Sequence, residues 1–148
     1  MTMPRDVQSE VVAALQELLA PIARVEDGDV RAILDVEDND LPDEFIVLQI
    51  GTTDERLQGA PRMLNSLPET AVINIVLVSK QRHYAATLRA MRLAVKVALR
   101  GRLVDRPLGV EGVSSIEFQQ QTPTYPPPGK RYAAYVMPLQ INYTQPLA

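Results

Sequence analysis

The sequence predicts an α+β fold: a mixed β-sheet of about four to five strands, flanked by two main helices and closed by a long C-terminal β-hairpin. Three patterns carry that expectation. Apolar residues recur at helical spacing in two stretches, 7–22 and 84–99. Between them, "TAVINIVLVS" (residues 70–79) is dense in β-branched side chains. Near the end, every odd position from Ala133 to Tyr143 is apolar, the alternation of a strand with one face on a core. With 148 residues, 46% hydrophobic and 22% charged, residues 1–148 read as a single domain. Such a chain buries roughly two thirds of the surface its unfolded form exposes.

The elements follow in order. Asp6 can cap a first helix, because its carboxylate can accept from the open amides of the first turn. Val7, Val11, Ala14, Leu15, Leu18 and Ile22 form that helix's apolar stripe, and Pro21 ends it or marks its last turn. A turn signal at Asp27-Gly28 leads to an expected short edge strand over residues 30–34. "FIVLQI" (residues 45–50) is apolar on both faces, as a strand covered on both sides requires. Residues 51–68, with Gly51, Gly59, Pro61 and Pro68, read as a long connection. Residues 70–79 are placed centrally in the sheet. Tyr84, Leu88, Met91, Val95 and Leu99 make the core stripe of the second helix, which Gly101 can end in a left-handed conformation. Residues 113–121 and 132–143 form the closing hairpin. Pro138 lacks an amide hydrogen, so the last strand is expected at an edge or a bulge, open to pairing with another chain.

Chemistry is sparse. The chain has no cysteine, which excludes disulfides, thiolate metal sites and cysteine nucleophiles, and fits synthesis in a reducing compartment. No apolar run approaches the roughly 20 residues of a membrane span, and the start "MTMPRDVQSE" lacks a signal-peptide pattern. His83 stands alone where the central strand gives way to the second helix, and a lone histidine there reads as a surface or capping residue. "DVEDNDLPDE" fails as a calcium loop, because the sixth and twelfth positions counted from Asp35 are Asp40 and Ile46 instead of glycine and a carboxylate. There is no glycine-rich phosphate loop and no nucleophile elbow. The chain is therefore read as non-enzymatic, with no catalytic residue, no metal and no cofactor.

Charge is more informative. A net charge of −3 argues against non-specific coating of DNA. It conceals a polarity, however: residues 26–44 hold nine acids and one base, whereas residues 80–106 hold eight bases and one acid. Arg89, Arg92, Lys96 and Arg100 are three, four and four residues apart and read as one outward stripe on the second helix. The bland reading is a solvated face or an intrachain partner for the acidic segment. The sharper one sets this stripe against Asp35, Glu37, Asp38 and Asp40 of a neighbouring copy, a head-to-tail contact that makes a ring if its rotation closes. The proline-rich loop "TPTYPPPGKR" has two readings as well: a hairpin turn guarded by proline, or a stiff arm presenting Tyr125, Pro126, Pro127, Pro128, Lys130 and Arg131 to a partner.

The order of an amphipathic helix, an acidic turn, a strand, the unit "TAVINIVLVSKQRHYAATLRAMRLAVKVAL" and a hairpin ending "AAYVMPLQINYTQ" resembles the tail terminator proteins of long-tailed bacteriophages, the minor tail protein U type. The resemblance covers nearly the whole chain and rests on pattern, with no diagnostic motif. It implies a mixed sheet flanked by helices, with six copies in a ring at the head-proximal end of the tail tube. That ring stops tube polymerisation and docks the head's connector. The implied partners are further copies of the chain, the tail tube protein and a head-completion or connector protein. DNA passes through the pore without sequence-specific binding, an acidic lining from residues 26–44 would keep it from sticking, and no membrane is involved. The implied location is the virion, after assembly in the host cytoplasm. The family shares no catalytic residues. This chain departs from its short version in the longer segments 51–68 and 122–131. Alternatives are a neck or head–tail joining protein, a small nucleic-acid-binding domain using the basic helix, and a metal-independent hydrolase.

Overall fold

The computed structural model describes residues 3–35, 41–56, 65–124 and 132–148. Helix α1 (Val7–Leu19) starts where the sequence requires: the Asp6 carboxylate accepts from the Ser9 amide at 3.4 Å and from its hydroxyl at 2.8 Å. Val7, Val11, Leu15 and Leu19 on its inner face are fully buried. Strand β1 (Arg24–Asp27) then pairs in parallel with the start of β2 (Glu44–Glu55).

Residues 30–34, expected as an edge strand, are instead part of helix α2 (Val30–Asp35). The edge position is taken by β1. Val30 and Ile33, three residues apart, both pack against a cluster around Phe45, Val47, Val76 and Val78, which a helical turn allows and a strand would not. The Val30 amide donates to Gln49 Oε1 at 2.9 Å, so the start of the short helix is tied to β2.

The segment read as a connection from 51 to 68 is strand over the greater part of its two described ends, 51–56 and 65–68. β2 continues to Glu55, β3 (Ser66–Ser79) begins at Ser66, and Thr53, Asp54 and Glu55 pair with Ala71, Thr70 and Glu69. This outer part of β2 is exposed throughout, so its polar side chains resemble a loop in sequence although its backbone is laddered. The register shifts between Ile50 and Thr53, beside Gly51.

The mixed sheet expected from the sequence has six strands among the described residues, in the order β1-β2-β3-β6-β4, with β5 also on β6. β3 is central, as its β-branched run predicts: it pairs with β2 on one side and along its full length with β6 (Ala133–Pro146) on the other. The expectation of an edge position for Pro138 is overturned, because β6 is an interior strand. β4 (Val113–Phe118) pairs with β6 only as far as Leu139, and β5 (Thr122–Thr124) resumes at Val136. Pro138 sits at this break, where its carbonyl accepts from the Gln119 amide at 2.8 Å. Its missing N–H therefore falls where the neighbouring strand is interrupted and costs no ladder bond.

One sheet face carries the main core beneath α1 and α3 (Tyr84–Leu99). Ile73, Ile75, Leu139 and Ile141 meet Leu15 and Leu19 of α1 and Val95 and Leu99 of α3. Gly101 ends α3 with φ +75°, the left-handed conformation that its place in the sequence predicts. Polar bonds fix α1 to the last strand. The Tyr143 side chain is buried; its hydroxyl accepts from Gln8 Nε2 at 2.7 Å and donates to Glu69 Oε1 at 2.9 Å. Gln145 Oε1 accepts from the Val7 amide at 3.1 Å.

Candidate assembly surfaces

Two regions of opposite character lie toward opposite edges of the sheet. Toward the β4/β5 edge, α3 sits with its flank against β4 and the β4–β5 connection, and this contact sorts the four predicted cations. Lys96 is half-buried, its ammonium 5.2 Å from the centre of the Phe118 ring. Arg92 is also half-buried and donates from Nε to Gln121 Oε1 at 3.1 Å, an oxygen that also accepts from the Tyr135 hydroxyl at 3.2 Å. Only Arg89 and Arg100 are exposed. The single outward stripe is thus corrected to two engaged and two open cations. The four stay in one row, but its Arg92 and Lys96 are met by Gln121 and Phe118, which lie far along the chain. Among the described residues, no carboxylate forms an ion pair with any of the four.

The outward face of α3 is apolar. Leu93 is 60% and Val97 64% exposed, and Ala86 and Ala90 are open on the preceding turns. The spacing Ala86, Ala90, Leu93, Val97 is itself helical, so α3 has a second apolar ridge opposite its core stripe. The sequence contained this signal: α3 is apolar on two sides, and the core accounts for only one of them.

Toward the other edge, β1 ends at Asp27 beside Ile50, which is 40% exposed on the same sheet face as α1. A shallow groove of about 180 Å³ runs there, with Val12 of α1 and Ile50 as its apolar part and Asp6 and Asp27 on its rim. A second hollow is contiguous through Ile50 and Asp27 and adds Asp29. Other described acids of this region are engaged: Glu26 with Arg24 at 2.6 Å, Asp43 with Lys80 at 3.6 Å, and Glu44 with the Gln81 amide. Asp27 and Asp29 are exposed and lack an ion pair among the described residues, although Asp29 Oδ1 accepts from the Arg31 amide at 3.0 Å.

Most of the remaining sequence candidates fall outside the described residues. Glu37, Asp38 and Asp40 and the loop residues Tyr125, Pro126, Pro127, Pro128, Lys130 and Arg131 lie outside the described residues. Asp35 is placed only as the last residue of α2. His83 precedes α3, exposed, with no side-chain capping bond. Among the described residues, no group of three His, Asp or Glu converges as a metal site. No described helix is long and apolar enough to cross a membrane.

No family model matches the chain, and no curated protein matches it. Among solved structures, it is similar to a chain in a structure described as the virion of a native gene transfer agent particle. The superposition covers 93% of this chain and 91% of the other, with a TM-score of 0.56 at 16% identity. What the two share is a fold.

Proposed function

We propose that the chain is a structural protein of a phage-like virion, and that within it the chain acts as a tail terminator. In that role copies join into a hexameric ring on the head-proximal end of the tail tube, stop its growth and present the surface on which the head's connector docks. The observation that carries the reading is the end-to-end fold likeness, nine tenths of both chains, to a component of the gene transfer agent virion. A fold alone does not assign a job. The finer role is supported by the element order noted in the sequence and by a surface whose apolar-basic and apolar-acidic regions lie toward opposite edges, as head-to-tail joining requires. The work assigned is adhesion, with no catalysis and no cofactor.

Light scattering and electron microscopy of the purified protein at rising concentration test this directly. A ring-shaped species of six times the 16.4 kDa chain is expected. Added to growing tail tubes, it should cap one end and halt elongation. A protein that stays monomeric at every concentration, or that leaves tube growth untouched, refutes the terminator role. Binding to connector without effect on tubes would instead assign a neck position.

A further inference from the structure

The two surface regions fit one another, and each lacks a partner of its kind within the described residues. On one side is a ridge: Leu93 and Val97 project from α3, with exposed Arg89 and Arg100 beside them. On the other is a groove: Ile50 and Val12 are its apolar part, and Asp6, Asp27 and Asp29 border it and the hollow next to it. Large aliphatic side chains more than half exposed, next to open cations, are what the centre and rim of a protein interface look like before the partner arrives. The groove has the inverse charge: Ile50 and Val12 lie among Gln8, Ser9 and Gln16, with carboxylates at its border.

We propose that the α3 ridge of one copy seats in the Ile50 groove of the next, with Arg89 and Arg100 facing Asp27 and Asp29. The inference rests on the self-association reading above and deepens it by naming the two surfaces in contact. It moves the acidic partner from residues 35–40 to the end of β1, and it makes leucine and valine the anchor. The cations set register and encounter rate, because exposed ion pairs add little affinity of their own. The occupant is a second copy because the charges are complementary within one chain. The contact is heterologous, since a copy that uses its ridge still has its groove open.

Leu93→Asp and Ile50→Asp test it, because both positions are exposed enough for the monomer to stay folded, which circular dichroism and an unchanged melting temperature verify. Each variant alone should have its self-association weakened roughly thirtyfold or more, the size of an interface hot spot. Mixed in equal amounts, they should form a one-to-one dimer and stop, because one intact ridge meets one intact groove. That dimer needs more protein than the ring does, since it lacks ring closure.

A second measurement does not depend on affinity. The chain has no cysteine, so a chain with both Val97→Cys and Ile50→Cys should crosslink between copies on oxidation, in a ladder that ends at ring size. Either substitution alone should give no ladder. If both Asp variants assemble like the unaltered protein, this contact is wrong and the ring reading survives. Should Val97→Cys alone crosslink as well as the pair, the contact is α3 on α3 and the proposal is overturned. An unaltered protein that never associates overturns this contact together with the ring.

Discussion

Removing the Tyr143 hydroxyl tests how α1 is held to the last strand. Burial is the first reason that this phenol's pKa is pushed up to about 12; the Glu69 carboxylate adds to the shift, and the bond from Gln8 opposes it. The sign follows from proton counts. Between about pH 10 and 12 the folded chain keeps this proton while the unfolded chain loses it, so stability falls as pH rises through that window. Below about pH 10 the contribution is fully present. The slope is at most about 1.4 kcal/mol per pH unit. The total is about 2 kcal/mol, set below the full value because Gln8 and Glu69 connect the hydroxyl to screened surface. Tyr143→Phe should cost about 1–2 kcal/mol at pH 7, for a half-buried acceptor and donor that lose their partner. It should also abolish this alkaline slope. Urea unfolding of both proteins at pH 7, 9, 10.5 and 11.5 measures it; taking the difference cancels the other tyrosines and the lysines. Stability curves that fall in parallel would mean that burial beside Glu69 does not hold the proton on this phenol.

Three further outcomes follow from local geometry. Asp6→Ala removes the acceptor for the Ser9 amide and should cost about 1 kcal/mol, with faster amide exchange in the first turn of α1. Gly101→Ala should cost about 1 kcal/mol in urea unfolding for the left-handed backbone alone, since an added Cβ meets no atom within 4 Å. Lys96→Met should cost about 0.5–1 kcal/mol, and a double-mutant cycle with Phe118→Leu should return a coupling of similar size if the ring contact is what holds this side chain.

Elements defined by period and caps were legible in the sequence. Asp6, the run at 70–79, the second core stripe and Gly101 each have a local cause and stand where the pattern put them; the first stripe holds at Val7, Val11 and Leu15, but its buried end is Leu19 rather than Leu18 and Ile22. What misled was context. The outer half of β2 is exposed, so "GTTDE" is polar like a loop, yet it pairs because β3 extends beside it. Val30 and Ile33 have β propensity, but the cluster around Phe45 rewards the spacing of a helical turn. Pro138 argued for an edge, and only the break between β4 and β5, invisible from β6 itself, makes an interior place possible.

The same distinction governs the surfaces. Counting charge along α3 finds four cations in a row but cannot tell that Phe118 and Gln121, far along the chain, take two of them. Because a charged row stands out in a sequence, it draws attention from Leu93 and Val97, which look like core until the real core stripe is seen to lie opposite. Ile50 is hidden likewise at the end of an apolar strand whose first residues are buried. An interface that must be soluble before assembly has reason to be built this way. A few aliphatic side chains, spaced among arginines on one edge and acids on the other, keep each patch too small to aggregate alone. In the proposed contact they would become adhesive only when a surface of opposite charge covers both the ridge and its rim.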